Sequence, residues 1–134
     1  MVKGVDHVAI AVADLDQAIE TYSKTIGLEL RERKIVESQK VEVAVLTAGG
    51  TRIELVKPTE ESSSVKGFID KRGEGLHHIA FTVSNIESEI DRMKGRLSFI
   101  GEKPTIGAEG HPIIFIHPKS ARGVLIELVE HSKD

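Results

Sequence analysis

Hydrophobic and polar positions alternate through residues 5–12, Val-Asp-His-Val-Ala-Ile-Ala-Val. That period of two predicts a strand. One face carries Val5, His7, Ala9 and Ala11; the other carries Asp6, Val8, Ile10 and Val12. Asp14 follows as a predicted helix cap, with Gln17 as its capping-box partner. Leu15, Ala18, Ile19, Tyr22 and Ile26 then fall on one helical stripe, and Gly27 supplies a stop. A charge-rich strand is predicted over 28–36, at an edge or half exposed. Strands over 41–47 and 51–57 flank the hairpin signal Gly49-Gly50, and Pro58 ends the second. A polar loop at 59–64 leads into a short helix near 64–71.

The pattern then starts again. Leu76 to Val83 read as a strand, and Ser84 or Asn85 caps a helix carrying Ile86, Ile90 and Met93. Further strands are predicted near 97–103, over 112–117 and over 124–130, with loops at 107–110 and 117–123. Placing the two stretches in register sets His7 on His78, Ala9 on Ala80, Val12 on Val83 and Asp14 on Asn85. Ile53-Glu54-Leu55-Val56 recurs unchanged as Ile126-Glu127-Leu128-Val129. The chain therefore reads as two βαβββ modules, about 1–60 and 75–134. Two repeats are too few for a solenoid, so an α+β fold is expected: one domain over 1–134, its modules forming one curved mixed sheet.

Composition narrows the chemistry. The 134 residues are 40% hydrophobic and 29% charged, with 21 acidic residues against 18 basic ones and a net charge of −3. A nucleic-acid partner is not expected without a basic excess. No apolar run reaches a membrane span, and Met-Val-Lys-Gly-Val-Asp-His lacks a signal-peptide core, so a cytoplasmic protein is expected. There is no cysteine. Thiol nucleophiles, zinc–thiolate sites and iron–sulfur clusters are thereby excluded.

Each module offers one histidine on its first strand and one glutamate inside an apolar last strand. A carboxylate among aliphatics is costly when buried unpaired, and a divalent cation offsets that cost. His7, Glu54, His78 and Glu127 form a mixed nitrogen–oxygen set that suits cobalt, manganese, nickel, iron or zinc. Small residues beside the histidines are expected to leave space for a ligand. His77 lies on the opposite strand face and is read as packed. His117, at a strand end, is read either as a substrate contact or as a turn residue. His111, His131 and the helix face carrying Glu87, Glu89, Asp91 and Arg92 are read as solvated. Glu42 is read as an outward-facing charge, with a base in the site as its alternative. Gly107-Ala108-Glu109-Gly110 lacks the strand–helix context of a phosphate loop.

The paired His…Glu modules resemble the vicinal oxygen chelate, or glyoxalase-like, superfamily over nearly the whole chain. Within it, Asp6–Val12, the run from Arg72 to Phe81, and the stretches Phe115–Ser120 and Gly123–Leu128 look like the methylmalonyl-CoA epimerases. The resemblance implies one divalent ion per chain on His7, Glu54, His78 and Glu127. Cobalt(II) is favoured, with manganese, nickel or zinc as alternatives. Some family members carry Gln where Glu54 stands. It implies epimerisation of methylmalonyl-CoA through a metal-stabilised enolate; the repeat, which sets Glu127 and Glu54 symmetrically about the metal, makes these two the candidate bases. Some members carry a second carboxylate base in the strand equivalent to 41–47, a place that falls to Val43 here rather than Glu42. The implied substrate is an acyl-CoA, met by Lys119, Arg122 and His117, and the implied assembly is a homodimer. A lactoylglutathione lyase, an extradiol dioxygenase and a non-enzymatic binding module are the alternatives on the same scaffold.

Overall fold

The computed structural model describes residues 1–131. Its order is β1 (Val2–Ala11), α1 (Leu15–Ile19), β2 (Glu29–Val36), β3 (Val41–Ala48), β4 (Thr51–Pro58), α2 (Ser64–Arg72), β5 (Gly75–Val83), α3 (Ile86–Met93), β6 (Phe99–Ile106), β7 (Pro112–Ile116) and β8 (Ile126–Glu130). The βαβββ order thus occurs twice, with α2 as the connection. The described residues hold four strands of mixed direction in each half of the chain, β1–β4 and β5–β8. Contacts divide the chain into two compact units: His7–His77, and Met1–Asp6 together with the residues from His78 onward.

In the first unit the strand order is β2-β3-β4-β1. β1 runs parallel to β4, while β2, β3 and β4 are antiparallel neighbours. Gly49, at φ +63°, makes the two-residue turn between the paired residues Ala48 and Thr51. The helix face packs Val12, Leu15, Ala44, Leu46 and Leu55 with Ala18, Ile19 and Tyr22. Ile26 leaves the expected stripe and is 59% exposed. The cause is winding: after Ile19 the helix widens to π geometry over Glu20–Ile26, and the amide of Gly27 donates to Tyr22, five residues back. A wider turn rotates later side chains off an α-helical stripe.

The second unit repeats the plan as β5-β8-β7-β6, with β5 parallel to β8. Its helix face buries Val83, Ile86, Ile114, Ile116 and Leu128 beneath Ile90 and Met93 of α3. Truncating a buried leucine such as Leu55 or Leu128 to alanine costs about 2–5 kcal/mol. The two helix starts are equivalent in detail. Asp14 accepts from the Gln17 amide and Asn85 from the Ser88 amide, each three residues on, as N-caps do.

The α3 surface departs from expectation at Glu89. It is 6% exposed, pairs with the Met1 ammonium, and accepts from Arg92 Nη2 at 2.6 Å. The Met1 hydrogen bond first, then Arg92, holds its carboxyl below the ordinary 4.5. A depressed folded-state pKa adds stability that is complete above the unfolded value and is lost as pH falls through the folded one. Glu89→Gln is therefore expected to melt lower than the unaltered chain at pH 7. Thermal denaturation across pH should show the gap closing below about pH 4.5.

Candidate functional site

In the first unit, parallel register sets Ala9 beside Glu54 and His7 beside Arg52, and antiparallel register sets Val45 beside Glu54. Strand alternation then puts His7, Ala9, Ala11, Val43, Val45, Arg52, Glu54 and Val56 on one face. Glu54 and His7 are each 6% exposed. His7 Nε2 lies 3.6 Å from Glu54 Oε1, beyond a good hydrogen bond. Glu54 Oε2 accepts from Arg52 Nη2 at 2.7 Å. Ala9 and Ala11 do not simply leave an opening. Val65, Phe68 and Ile69 of α2 pack into the cluster that holds both alanines, filling part of the expected space.

In the second unit Ala80 pairs with Glu127, and Phe115 pairs with Glu127 from the other side. His78, Ala80, Phe115, Glu127 and Val129 therefore share a face. His78 Nε2 stands 2.9 Å from Oε1 of Glu127, which is 6% exposed. The His78 and Phe115 rings meet edge-on, 5.4 Å between centroids. Each unit thus holds one imidazole against one buried carboxylate in equivalent strand positions. Nitrogen and oxygen donors buried side by side, with no thiolate, fit a borderline or hard divalent ion.

Glu42 belongs elsewhere. It lies on the β3 face with Ala44 and Leu46, and Arg33 donates to it at 3.1 Å. Val43 takes the place on the His7 face, as the strand alternation requires. His77 packs edge-on against Phe68 at 4.8 Å. His131 is not merely solvated: its Nε2 lies 2.9 Å from Asp6 Oδ1, and its ring is 4.1 Å from that of His111. Asp6 gave no sign of this in sequence beyond falling on the opposite face from His7.

His117, Lys119 and Arg122 lie on the β7–β8 connection, where His117 caps a 3₁₀ turn over Pro118–Ala121. His117 Nδ1 accepts from the Lys119 amide at 3.1 Å. A neutral ring bonded this way carries its proton on Nε2, as a donor. The Ser120 hydroxyl accepts from the Ser98 amide at 3.0 Å and ties the turn to the chain before β6. Lys119 and Arg122 are exposed. Arg122 has φ +62°, a left-handed conformation uncommon for a residue with a side chain. Arg52 was missed by the sequence reading. Its signal was available, since it lies two residues before Glu54 and so on the same strand face.

Residues 6–115 match the model of the glyoxalase/bleomycin resistance protein/dioxygenase superfamily. The chain belongs to this superfamily. An ethylmalonyl-CoA/methylmalonyl-CoA epimerase of Cereibacter sphaeroides is 40% identical over 132 residues, 96% of this chain and 98% of the relative. The crystal structure of methylmalonyl-CoA epimerase from Mycobacterium tuberculosis superposes with a TM-score of 0.91 at 41% identity, covering 98% of this chain and 90% of that one. A methylmalonyl-CoA epimerase solved with methylmalonyl-CoA and NH4+ gives 0.89 at 34%, covering 98% and 96%. The resemblance to epimerases therefore holds across the chain, as does the expected α+β glyoxalase-like fold class, and its epimerase relatives and neighbours mark it as an enzyme of the isomerase class. Among the described residues no helix is long and apolar enough to cross a membrane.

Proposed function

We propose that the chain epimerises methylmalonyl-CoA at C2, with His7, Glu54, His78 and Glu127 holding one divalent ion. The observation that carries this reading is the pair of His–Glu couples, each with its carboxylate buried, at equivalent strand positions of a chain about 40% identical to epimerases. His7, His78 and Glu127 are donors of the kind that form a metal group, which further supports it. Cobalt(II) is the favoured ion, with manganese, nickel or zinc as alternatives. When bound, it supplies Lewis acidity to the carboxylate and thioester oxygens of the substrate.

The remaining work falls to side chains. The C2 proton, between a carboxylate and a thioester carbonyl, passes to Glu127, and the C–H electron pair moves onto the thioester oxygen. A proton is then delivered to C2 on the opposite face by Glu54, which enters that turnover as the neutral acid and leaves it ionised. Two bases on opposite faces exchange the proton without turning the substrate over. His117 Nε2–H, Lys119 and Arg122 are proposed to meet the substrate carboxylate and the CoA phosphates, which suit cationic and N–H donors.

The whole chain, 1–134, is proposed to work as one domain, in the cytoplasm, where a chain without disulfides has no need of an oxidising compartment. A homodimer is proposed because β2 ends its unit's strand order with Leu30 and Ile35 exposed by 40% and 62%; an exposed edge strand invites pairing. The deciding experiment is C2 proton–deuterium exchange of methylmalonyl-CoA in heavy water. Exchange is expected with metal-restored protein and not with chelated protein. No exchange with any of the four metals overturns the reading.

A further inference from the structure

Arg52 and Glu54 stand two residues apart on β4, so both side chains leave the same face of the strand. The Arg52 guanidinium donates to Glu54 Oε2 at 2.7 Å, while Glu54 Oε1 is the oxygen turned to His7 Nε2, 3.6 Å away. The repeat does not reproduce this arrangement. The residue two positions before Glu127 is Leu125, whose side chain has no donor.

We infer that Arg52 is a positioning residue that holds Glu54 as a single-oxygen ligand and supplies the positive charge needed to admit an anionic acyl thioester. The inference rests on the metal and substrate reading above. Its first ground is geometric. Glu54 is 6% exposed, and a charge-assisted bond to one carboxylate oxygen fixes which oxygen is turned to His7. Its second ground is charge. Two ionised carboxylates cancel a divalent ion, so the loaded donor set is neutral before either carboxylate takes up a proton. Arginine stays protonated at all working pH and leaves the site one charge positive when the substrate carboxylate arrives.

The test combines Arg52→Met, Arg52→Lys, Glu54→Gln and the double variant Arg52→Met/Glu54→Gln. Calorimetry with Co2+ alone is read beside KM and kcat for methylmalonyl-CoA. Arg52→Met is expected to bind Co2+ several-fold more tightly, because a repelling charge has gone and Glu54 Oε2 is released. Its KM is expected to rise about tenfold, within the coupling found between contacting charged residues. The double variant restores the net charge and is expected to return KM to within about threefold of the unaltered chain, as is Arg52→Lys, which keeps the charge. A purely structural role weakens metal and substrate binding together, and that result overturns the inference. So does an Arg52→Met variant with unchanged KM. An unaltered chain that neither binds Co2+ nor exchanges the C2 proton overturns the functional reading, and this inference with it.

Discussion

Glu127→Gln is expected to slow C2 proton removal by on the order of a hundredfold or more, the effect of losing a general base, while the protein keeps its metal. An imidazole nitrogen that ligates a metal has its lone pair occupied, so His7 and His78 are unavailable as bases and the proton must travel through carboxylates. Glutamine preserves side-chain length and one oxygen donor but cannot take up a proton. Glu54→Gln is expected to retain metal and measurable epimerisation, because its amide keeps one neutral oxygen donor beside the unaltered His7, His78 and Glu127. Proton exchange should be followed separately from each epimer, since bases on opposite faces fail on different substrates. If Glu127→Gln exchanges both epimers at the unaltered rate, Glu127 is a ligand only. Glu42 would not inherit the role: its carboxylate is bonded to Arg33 on the other face of β3.

Strand periodicity made most of this arrangement legible. A period of two separates His7 from Asp6, Glu54 from Leu55 and Val43 from Glu42, and all three assignments hold in the register of β1, β3 and β4. The helix caps were legible for a similar reason, because Asp14 and Asn85 carry the short side-chain oxygens that N-caps require. What the sequence concealed depends on helix winding or on distant partners. Ile26 fits an α-helical stripe, and only the π geometry of Glu20–Ile26 turns it outward. Glu89 looks like one more surface carboxylate, yet its partner Met1 is 88 residues away. The same holds for His131 and Asp6, 125 residues apart. Arg52 lay within reach of the sequence argument and was missed for another reason. Comparing the modules for what they share hides the position where Leu125 replaces it.

The adjacent histidines of β5 provide the sharpest test of the metal proposal. His77 and His78 are consecutive in sequence, but a strand sends them to opposite faces. His78 Nε2 meets Glu127 at 2.9 Å, whereas the His77 ring rests on Phe68 at 4.8 Å. His78→Ala is expected to weaken divalent-metal binding by more than about a hundredfold. Losing even an outer partner of a ligand typically costs 10- to 100-fold, and this substitution removes a ligand itself. Activity should fall with metal occupancy. His77→Ala removes an imidazole of the same chemistry one residue away. It should keep full occupancy and lose only edge-to-face packing on Phe68, worth about 0.5–1.5 kcal/mol of stability. Elemental analysis of both variants, dialysed against the same metal, reads the contrast directly. Full occupancy and activity in His78→Ala would remove that residue from the proposed donor set. Equal loss in both variants would show that disturbing β5, rather than deleting a ligand, had caused it.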